Sequence, residues 1–240
     1  MKNSAIIHTL IHAIIILASA SCSRPTDTQL IVHVDNLRSE LTIEINKQSF
    51  SISHPFASKT LYSNKPTARF YLTDSDEPTI YQVNLLGVRR TPITLLIKRG
   101  EQATLTLDML NLGSYSIEGS EESLLAKELT DRLRKSSRTI DSLERLQRNT
   151  DNPIALDTLA MRVKAVKDSQ RVFSSRFIWE HPRTLASFIA LYQQYSNGDY
   201  VFDTSDDLTL FRVVGSALQV MYPESAYTKG IIKDLSLIHI

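Results

Sequence analysis

Apolar residues recur in short runs through the first half of the chain, and in several runs they alternate with polar residues. This period of two is typical of β-strands that bury one face. Turn-forming residues such as Asp35-Asn36 and Arg99-Gly100-Glu101 separate the runs. The pattern predicts eight strands that pack as an antiparallel β-sandwich or a partly open barrel over residues 29–119. The runs cover residues 30–34, 41–45, 48–53, 68–72, 79–85, 92–98, 103–107 and 114–117.

The period of the apolar residues changes at Gly119. From Ser120, a candidate N-cap, to about Gln147 they recur every three or four positions, which predicts a helix. Asn152-Pro153 supplies the cap and the first-turn proline of a second helix, and His181-Pro182 ends it. The second helix has an apolar stripe of Leu156, Leu159, Val163, Val166, Phe173 and Phe177. Further helices are predicted over residues 182–195 and 205–221 and from residue 223 onward.

The predicted fold is therefore α+β, with a β-rich part over residues 29–119 and a helical region over residues 120–234. No Ser- or Gly-rich linker separates the two parts. We expect them to pack against each other, because a flexible spacer is what usually allows neighbouring parts to move independently.

The N-terminus has the layout of a signal peptide over residues 1–21. Lys2 precedes an apolar stretch over residues 6–17, and small residues follow it up to Cys22. A cysteine directly after small residues resembles the bacterial lipobox, in which the thiol receives a diacylglycerol before cleavage, although Ser19 stands where Leu is usual. Cys22 is thus the predicted lipid-attachment site, and residues 22–28 are the predicted tether. The alternative is ordinary cleavage after Ala20 or Ser21, which leaves Cys22 as a free thiol.

The last six residues, 235–240, read Leu-Ser-Leu-Ile-His-Ile. The nucleotides CTGTCTCTTATACACATC encode them, and this string resembles the transposase adapter of shotgun sequencing libraries. We expect residues 235–240 to be adapter-derived, the native chain to continue beyond about Asp234, and the foreign residues to trail from the fold with few contacts. The alternative is a natural chain that ends here.

Charge and cysteine usage narrow the classes of function. Formal net charge is +1, and without Lys2 the chain has 26 basic and 26 acidic residues, so nothing favours nucleic acid as a partner. Cys22 is the only cysteine, which excludes a Cys-x-x-Cys pair or a cysteine metal site within these 240 residues.

No catalytic, cofactor-binding or metal-binding residue is predicted. His33, His54 and His181 lack metal-ligand spacing, and no nucleophile motif is present. Two acidic loops could be considered as calcium sites, but neither matches a calcium-loop framework. The first is more typical of a solvated turn and contains Asp74, Asp76 and Glu77. The second is more typical of a helix N-terminus and contains Asp199, Asp203, Asp206 and Asp207. An aromatic group has the spacing of core residues, with a ligand groove as the alternative; it comprises Phe173, Phe177, Trp179, Phe188, Tyr192, Tyr195, Tyr200 and Phe202.

Short motifs along the chain resemble the N-terminal region of TlpA-like thiol-disulfide oxidoreductase lipoproteins of the Bacteroidetes. The motifs lie at residues 69–83, 92–101 and 115–120, followed by Leu185-Ala186-Ser187-Phe188 and Tyr222-Pro223-Glu224-Ser225. The resemblance covers residues 27–234 and implies a thioredoxin domain further along the parent chain. No catalytic residue can be carried over, because this sequence has no counterpart of the family's Cys-x-x-Cys site.

Two functional hypotheses follow. In the first, the chain is the membrane-anchored accessory region of a periplasmic thiol-disulfide oxidoreductase, with periplasmic protein substrates or the thioredoxin domain as partners. In the second, it is a stand-alone binding or structural lipoprotein of the cell envelope, without enzymatic activity. Both place the chain on a membrane through Cys22. The absence of acidic residues directly after Cys22 favours the periplasmic face over the cell surface.

Overall fold

The computed structural model describes residues 27–73, 75–88, 91–203 and 205–237. Within these residues, eight strands precede five helices, which confirms the predicted α+β fold. The strands are β1 (Gln29–Asp35), β2 (Leu41–Gln48), β3 (Ser53–Leu61), β4 (Thr67–Tyr71), β5 (Thr79–Leu85), β6 (Ile93–Ile97), β7 (Gln102–Asp108) and β8 (Tyr115–Glu118). The helices are α1 (Glu121–Arg148), α2 (Pro153–Glu180), α3 (Leu185–Leu191), α4 (Leu208–Met221) and α5 (Ala226–Leu237).

The strands form two four-stranded sheets, in the orders β4-β1-β7-β8 and β3-β2-β5-β6. β1 and β7 pair in parallel, and the other described strand pairs are antiparallel. Alternate residues of β1 and β2 are buried between the sheets, among them Leu30, Val32, Ile43 and Ile45. The predicted strand alternation therefore corresponds to a sandwich-like core.

The third strand differs from the prediction. Residues 48–53 alternate apolar with polar, but the structure has a turn there and places β3 at Ser53–Leu61. The dipeptide His54-Pro55 is a turn signal in the sequence, but it lies inside this strand. The proline is tolerated because β3 is the edge strand of its sheet, and the pairing of β2 with β3 has an irregularity between Ile45 and Asn46, directly opposite the proline.

Phe50, in the turn between β2 and β3, packs against the helical region. Its ring centroid lies 5.8 Å from that of Phe188 and 5.6 Å from that of Tyr192. A methyl group on Gly230 of α5 would overlap the Phe50 ring, so the glycine makes room for it. The Tyr227 hydroxyl, also on α5, donates a hydrogen bond to the Gln48 carbonyl. The turn thus joins the sandwich to α3 and α5.

A second junction joins the edge strand β6 to the start of α1. The Ser120 and Ser123 hydroxyls both donate hydrogen bonds to the Leu96 carbonyl, at 2.7 and 2.8 Å, and the Leu96 amide donates to the Ser123 hydroxyl at 2.9 Å. Ser120 occupies the predicted N-cap position, but its side chain makes no capping hydrogen bond. Gly119 has a φ of +78°, and a methyl group there would overlap the Gln102 carbonyl. The chain thus turns sharply from β8 into α1.

Glu122, only 2% exposed, extends this junction to α3. One carboxylate oxygen lies 3.1 Å from the Lys98 ammonium, and the other accepts a 3.0 Å hydrogen bond from the Leu185 amide at the start of α3. Burial raises the pKa of Glu122 above its ordinary value of 4.5, although Lys98 acts in the opposite direction. Burial also works to lower the pKa of Lys98, but the adjacent carboxylate outweighs it and raises that pKa.

The helix ends confirm some boundary predictions and correct others. Asn152 caps α2 by accepting hydrogen bonds from the amides of Ile154 and Ala155, and α2 ends before His181 as predicted. The third helix is shorter than predicted: it ends at Leu191, because residues 192–203 form a tight loop instead. α4 begins at Leu208, three residues later than predicted.

Residues 235–237 form the last turn of α5, so the expectation that they trail from the fold is wrong. Leu235 follows Ile231 by four positions and packs on the same helical core, close to Gly215 of α4. Residues 238–240, like Cys22 and the predicted signal peptide, lie outside the described residues.

The first testable prediction concerns the contact of Phe50 with Gly230. Gly230→Ala should lower the free energy of unfolding by about 1–2 kcal/mol, because overpacking outweighs the helix-propensity gain of about 1 kcal/mol. Gly113→Ala, where the methyl group would meet nothing closer than 3.5 Å, is the matched control. In a Phe50→Ala background, Gly230→Ala should become neutral or stabilising in chemical denaturation. Simple additivity of the two changes would contradict the proposed contact.

The second prediction concerns Glu122. Glu122→Ala should lower the free energy of unfolding by about 2–4 kcal/mol, because it leaves the Leu185 amide buried without its acceptor. Glu122→Gln keeps an acceptor oxygen and should lose about half as much. The exposed neighbour provides the control, and Glu121→Gln should change stability by less than about 0.5 kcal/mol.

The same variants give a pH dependence with a defined sign. Because the pKa of Glu122 is raised in the folded state, its protonated form adds stability that is complete below pH 4.5 and is lost as pH rises through the folded value. The free energy of unfolding of the wild type should therefore exceed that of Glu122→Gln by the largest amount below pH 4.5, and the difference should shrink towards neutral pH. Denaturation curves at several pH values measure it, and an advantage that grows with pH would contradict this assignment.

Candidate functional site

A cavity of about 790 Å³ opens in the helical region between α2, the end of α3, α4 and α5. Its volume is in the range of small-molecule sites in proteins. Aromatic rings and ionisable groups share its walls. The aromatic side chains are Tyr192, Tyr200, Phe202 and Phe211, and the ionisable ones are Arg171, Asp199, Asp203 and Asp234, besides the tyrosines.

A tight hairpin after α3 builds one wall of the cavity. The Gly198 amide donates to the Tyr195 carbonyl, and the Tyr195 amide donates to the Asp199 carbonyl. Gly198 has a φ of +90°, which suits a glycine in such a turn. Gln194 and Tyr200 face each other as an isolated antiparallel pair. The hairpin thereby holds the Tyr200 side chain at the cavity mouth, where it is 57% exposed.

The ionisable side chains of the cavity are engaged with one another or with neighbours. Arg171 forms an ion pair with the buried carboxylate of Asp207, and its guanidinium lies 5.7 Å from the centre of the Phe202 ring. The Lys167 ammonium lies 2.6 Å from an Asp199 oxygen. The Tyr192 hydroxyl donates a 2.6 Å hydrogen bond to Asp234 of α5. These pairs tie α2, the hairpin, α4 and α5 together around the opening.

The pKa shifts of the lining residues point away from neutral pH. Burial raises the pKa of Tyr192, and the adjacent Asp234 carboxylate raises it further. A hydrogen bond from Lys167 lowers the pKa of Asp199, and hydrogen bonds from Ser205 lower that of Asp203. General acid–base catalysis at neutral pH favours the opposite shift, towards neutrality.

A buried polar network supports the helices behind the cavity. The Ser136 hydroxyl donates a 2.8 Å hydrogen bond to the Gln170 side chain, whose amide donates to the Ser174 hydroxyl at 3.1 Å. Ser174 in turn donates to Gln193 at the start of the hairpin, at 3.4 Å. These four residues are all buried, and their side chains connect α1, α2 and the hairpin. Such a connected network restrains the relative positions of the elements that it joins.

The structure divides the aromatic group singled out in the sequence. Phe177, Phe188, Tyr195 and Phe202 are buried in the helical core, as their spacing predicted. Tyr192, Tyr200 and Phe202 line the cavity, so the alternative of a ligand groove applies to part of the group. Trp179 is exposed on the outside of α2.

The structure also shows where His33, His181 and the second acidic loop lie. His33 contacts Thr67 and Asp35 on the sandwich, and the His181 ring lies 4.8 Å from that of Phe177. Asp207 faces Arg171, and Asp199 faces Lys167, which separates the second acidic loop into ion pairs. Among the described residues, no group of three or more histidine, aspartate or glutamate side chains could hold a metal ion.

Sequence reasoning missed Arg171, Phe211 and Asp234 as cavity residues. Arg171 lies 36 positions from its partner Asp207, and Tyr192 lies 42 positions from Asp234. Neither separation corresponds to a local helical or strand period, so no pattern in the sequence indicates these pairs.

Within the described residues, no helix has both the length and the apolar composition that crossing a bilayer requires. No protein-family model matches this chain, and no curated protein matches it significantly.

Proposed function

We propose that this chain is a membrane-anchored accessory and binding region of the cell envelope. In this proposal Cys22 carries the lipid, the sandwich and helices form one rigid body at the membrane, and the cavity beside α5 recognises a ligand or a segment of a partner. The parent protein is a periplasmic thiol-disulfide oxidoreductase of the TlpA-like type, whose thioredoxin domain follows these residues.

The observation that carries the proposal is the short distance in sequence between Cys22 and Thr28, which is held at the start of the sandwich. Thr28 is buried, its hydroxyl accepts a 2.8 Å hydrogen bond from the Gly100 amide, and its carbonyl accepts a 2.9 Å bond from Leu72. Six residues of extended chain span at most about 20 Å. A lipid on Cys22 would therefore hold the folded body close to the membrane surface, which is where an accessory region of an anchored enzyme has to act.

Cysteine usage further supports an accessory role. Thiol-disulfide exchange between proteins needs a reactive thiolate, and the only cysteine of these residues is the predicted lipid site. Redox activity would have to come from a Cys-x-x-Cys pair elsewhere in the parent protein. The cavity supports a binding role, because aromatic rings line it beside fixed ion pairs and exposed Tyr200 lies at its mouth.

A stand-alone binding lipoprotein is the second candidate, and the packing of α5 favours it. Leu235 lies against the helical core, and the last described turn reaches the cavity through Leu237. A helix that contributes to both the core and the cavity suits a binding protein.

The third prediction tests the anchor. Cys22→Ser should move the protein from the membrane fraction to the soluble fraction of the envelope and abolish metabolic labelling with palmitate, because stable anchoring depends on the acyl chains. Ser23→Ala, at the neighbouring position, is the matched control and should leave both properties unchanged. A Cys22→Ser protein that still labels and sediments with membranes would refute lipid attachment at this residue.

The fourth prediction separates the two candidates. The open reading frame, sequenced past codon 234 from an independent clone, should continue into a domain that contains a Cys-x-x-Cys pair. That result would assign the chain to a thiol-disulfide oxidoreductase. A stop codon directly after codon 240, in a frame that retains residues 235–240, would instead decide for the stand-alone lipoprotein.

A further inference from the structure

Helix α2 has two apolar faces, and only one of them packs against other residues that the structure describes. Val163, Val166 and Phe173 of the predicted stripe pack on the helical core, and Phe177 is buried in it. The opposite face exposes four large apolar side chains, which we call the outer stripe: Ile154 (79% exposed), Met161 (74%), Val172 (69%) and Trp179 (57%).

The outer stripe is straight. Its residues follow one another at intervals of seven, eleven and seven positions. At about 100° per residue, these intervals bring all four side chains within about 20° of one line along the helix, over a length of about 38 Å. Exposed Ala165 lies beside the line, near its middle. A row of this kind on a soluble helix is typical of a face that another element covers.

The hairpin of α1 and α2 needs such a cover along its outer half. Both helices have 28 residues, but among residues 141–169, all of which the structure describes, none is buried. A helical hairpin without buried side chains has little packing to stabilise it. An occupant on the outer stripe would add apolar burial to α2 along this part of its length.

We propose that the outer stripe is a self-association surface, on which α2 of a second copy of this chain packs antiparallel. The spacing supports a two-fold contact. Ile154 and Trp179 lie equally far from the midpoint of the stripe, and so do Met161 and Val172. A two-fold axis at the midpoint therefore places Ile154 of one copy opposite Trp179 of the other, and Met161 opposite Val172, as an isologous interface requires.

Charge selects the antiparallel arrangement over the parallel one. Lys164 and Asp168 lie on the same side of the stripe and form an ion pair 2.7 Å long within one chain. In an antiparallel dimer, Lys164 of each copy lies at nearly the same height as Asp168 of the other, so the two pairs join into a network. A parallel two-fold dimer would instead place the two Lys164–Asp168 pairs on opposite sides of the contact, where they could not join.

The mixed charge of the α1–α2 helical hairpin also favours a second copy as the occupant over an anionic lipid surface. Residues 141–169 contain five basic and five acidic side chains. Helices that lie on membranes are rich in Lys and Arg on their polar face, and this hairpin is not. Packing of two helices over this length buries roughly 800 Å² in total, which is the size of a weak, reversible association. Lipid anchoring, which rests on the proposed function, would confine both copies to one membrane and favour their contact.

Single introduced cysteines test the arrangement in the full chain, expressed in the envelope and treated with a bismaleimide whose reach is about one helix diameter, ~10–12 Å. Ala165→Cys lies near the two-fold axis and should give a covalent dimer. Thr158→Cys is the matched control on the same exposed side of α2, because its two copies would be about 26 Å apart in an antiparallel dimer. We expect at least tenfold less dimer for Thr158→Cys.

A second change separates a specific contact from random collision. Met161→Glu should reduce the Ala165→Cys dimer at least fivefold, whereas Val220→Glu on α4, at an even more exposed apolar position (82%), should leave it unchanged. At concentrations that keep the chains monomeric, the thermal midpoints of both glutamate variants should match that of the parent, because neither side chain is buried within one chain. Equal crosslinking at residues 158 and 165, no crosslinking at 165, or an unchanged dimer with Met161→Glu would overturn the proposal.

The same experiment distinguishes this proposal from the lipid anchor. If Cys22→Ser releases the Ala165→Cys chain from the membrane, crosslinking should fall with dilution and return when the released protein is concentrated. If Cys22 is not lipidated, the parent fractionates as soluble, but the difference between residues 165 and 158 persists. Covalent adducts to a different protein at residue 165, without a dimer, would identify another occupant and refute self-association.

Discussion

The hydrogen bonds between Leu96 on β6 and the serines at the start of α1 determine how the whole chain is arranged. β6 is an edge strand, and the backbone groups that an edge exposes need partners. Ser120 and Ser123 bond to the Leu96 carbonyl, and Ser123 also accepts from its amide, so the edge is closed by a helix instead of another strand. With the first turn of α1 held there, Glu122 reaches the Leu185 amide and sets the start of α3. This junction thus links the sheet that contains β6, the α1–α2 helical hairpin and helix α3 beside the cavity.

The helical region depends on the sandwich in a second place. Phe50 leaves the β2–β3 turn and packs on Phe188 and Tyr192, and Tyr192 is also a wall of the cavity. The cavity is therefore built on a scaffold that both parts of the molecule hold in place. Its ionisable side chains are mostly committed to ion pairs and hydrogen bonds that join neighbouring helices. These contacts give the site a defined shape, and in the proposed binding role its aromatic rings, above all exposed Tyr200, are the surfaces that would meet a ligand.

The α1–α2 hairpin has a different physical character. Near the sandwich it is anchored by buried side chains such as Ile140 and Gln170, whereas its outer half has none. Pairing between the outer stripes of two copies would supply packing to this half, and none of the four stripe residues lines the cavity. An anchored pair of chains would present two cavities at one membrane, which is consistent with an accessory region that gathers partners.

Periodicity in the sequence by itself determined the α+β class, the number of strands, the change of period at Gly119 and the caps of α2, because these features follow from residues close together in the chain. It could not place β3, since Pro55 is acceptable only on an edge strand, and whether a strand lies at an edge is decided by sheet order. It predicted the aromatic group as core, which holds for part of the group, but the cavity depends on pairs such as Tyr192 with Asp234 and Arg171 with Asp207, which fold together across 36–42 positions. The sequence also predicted the apolar face of α2 that is buried, but only tertiary packing shows that the opposite face has no cover within the described residues, because a single core packs on one side of the helix.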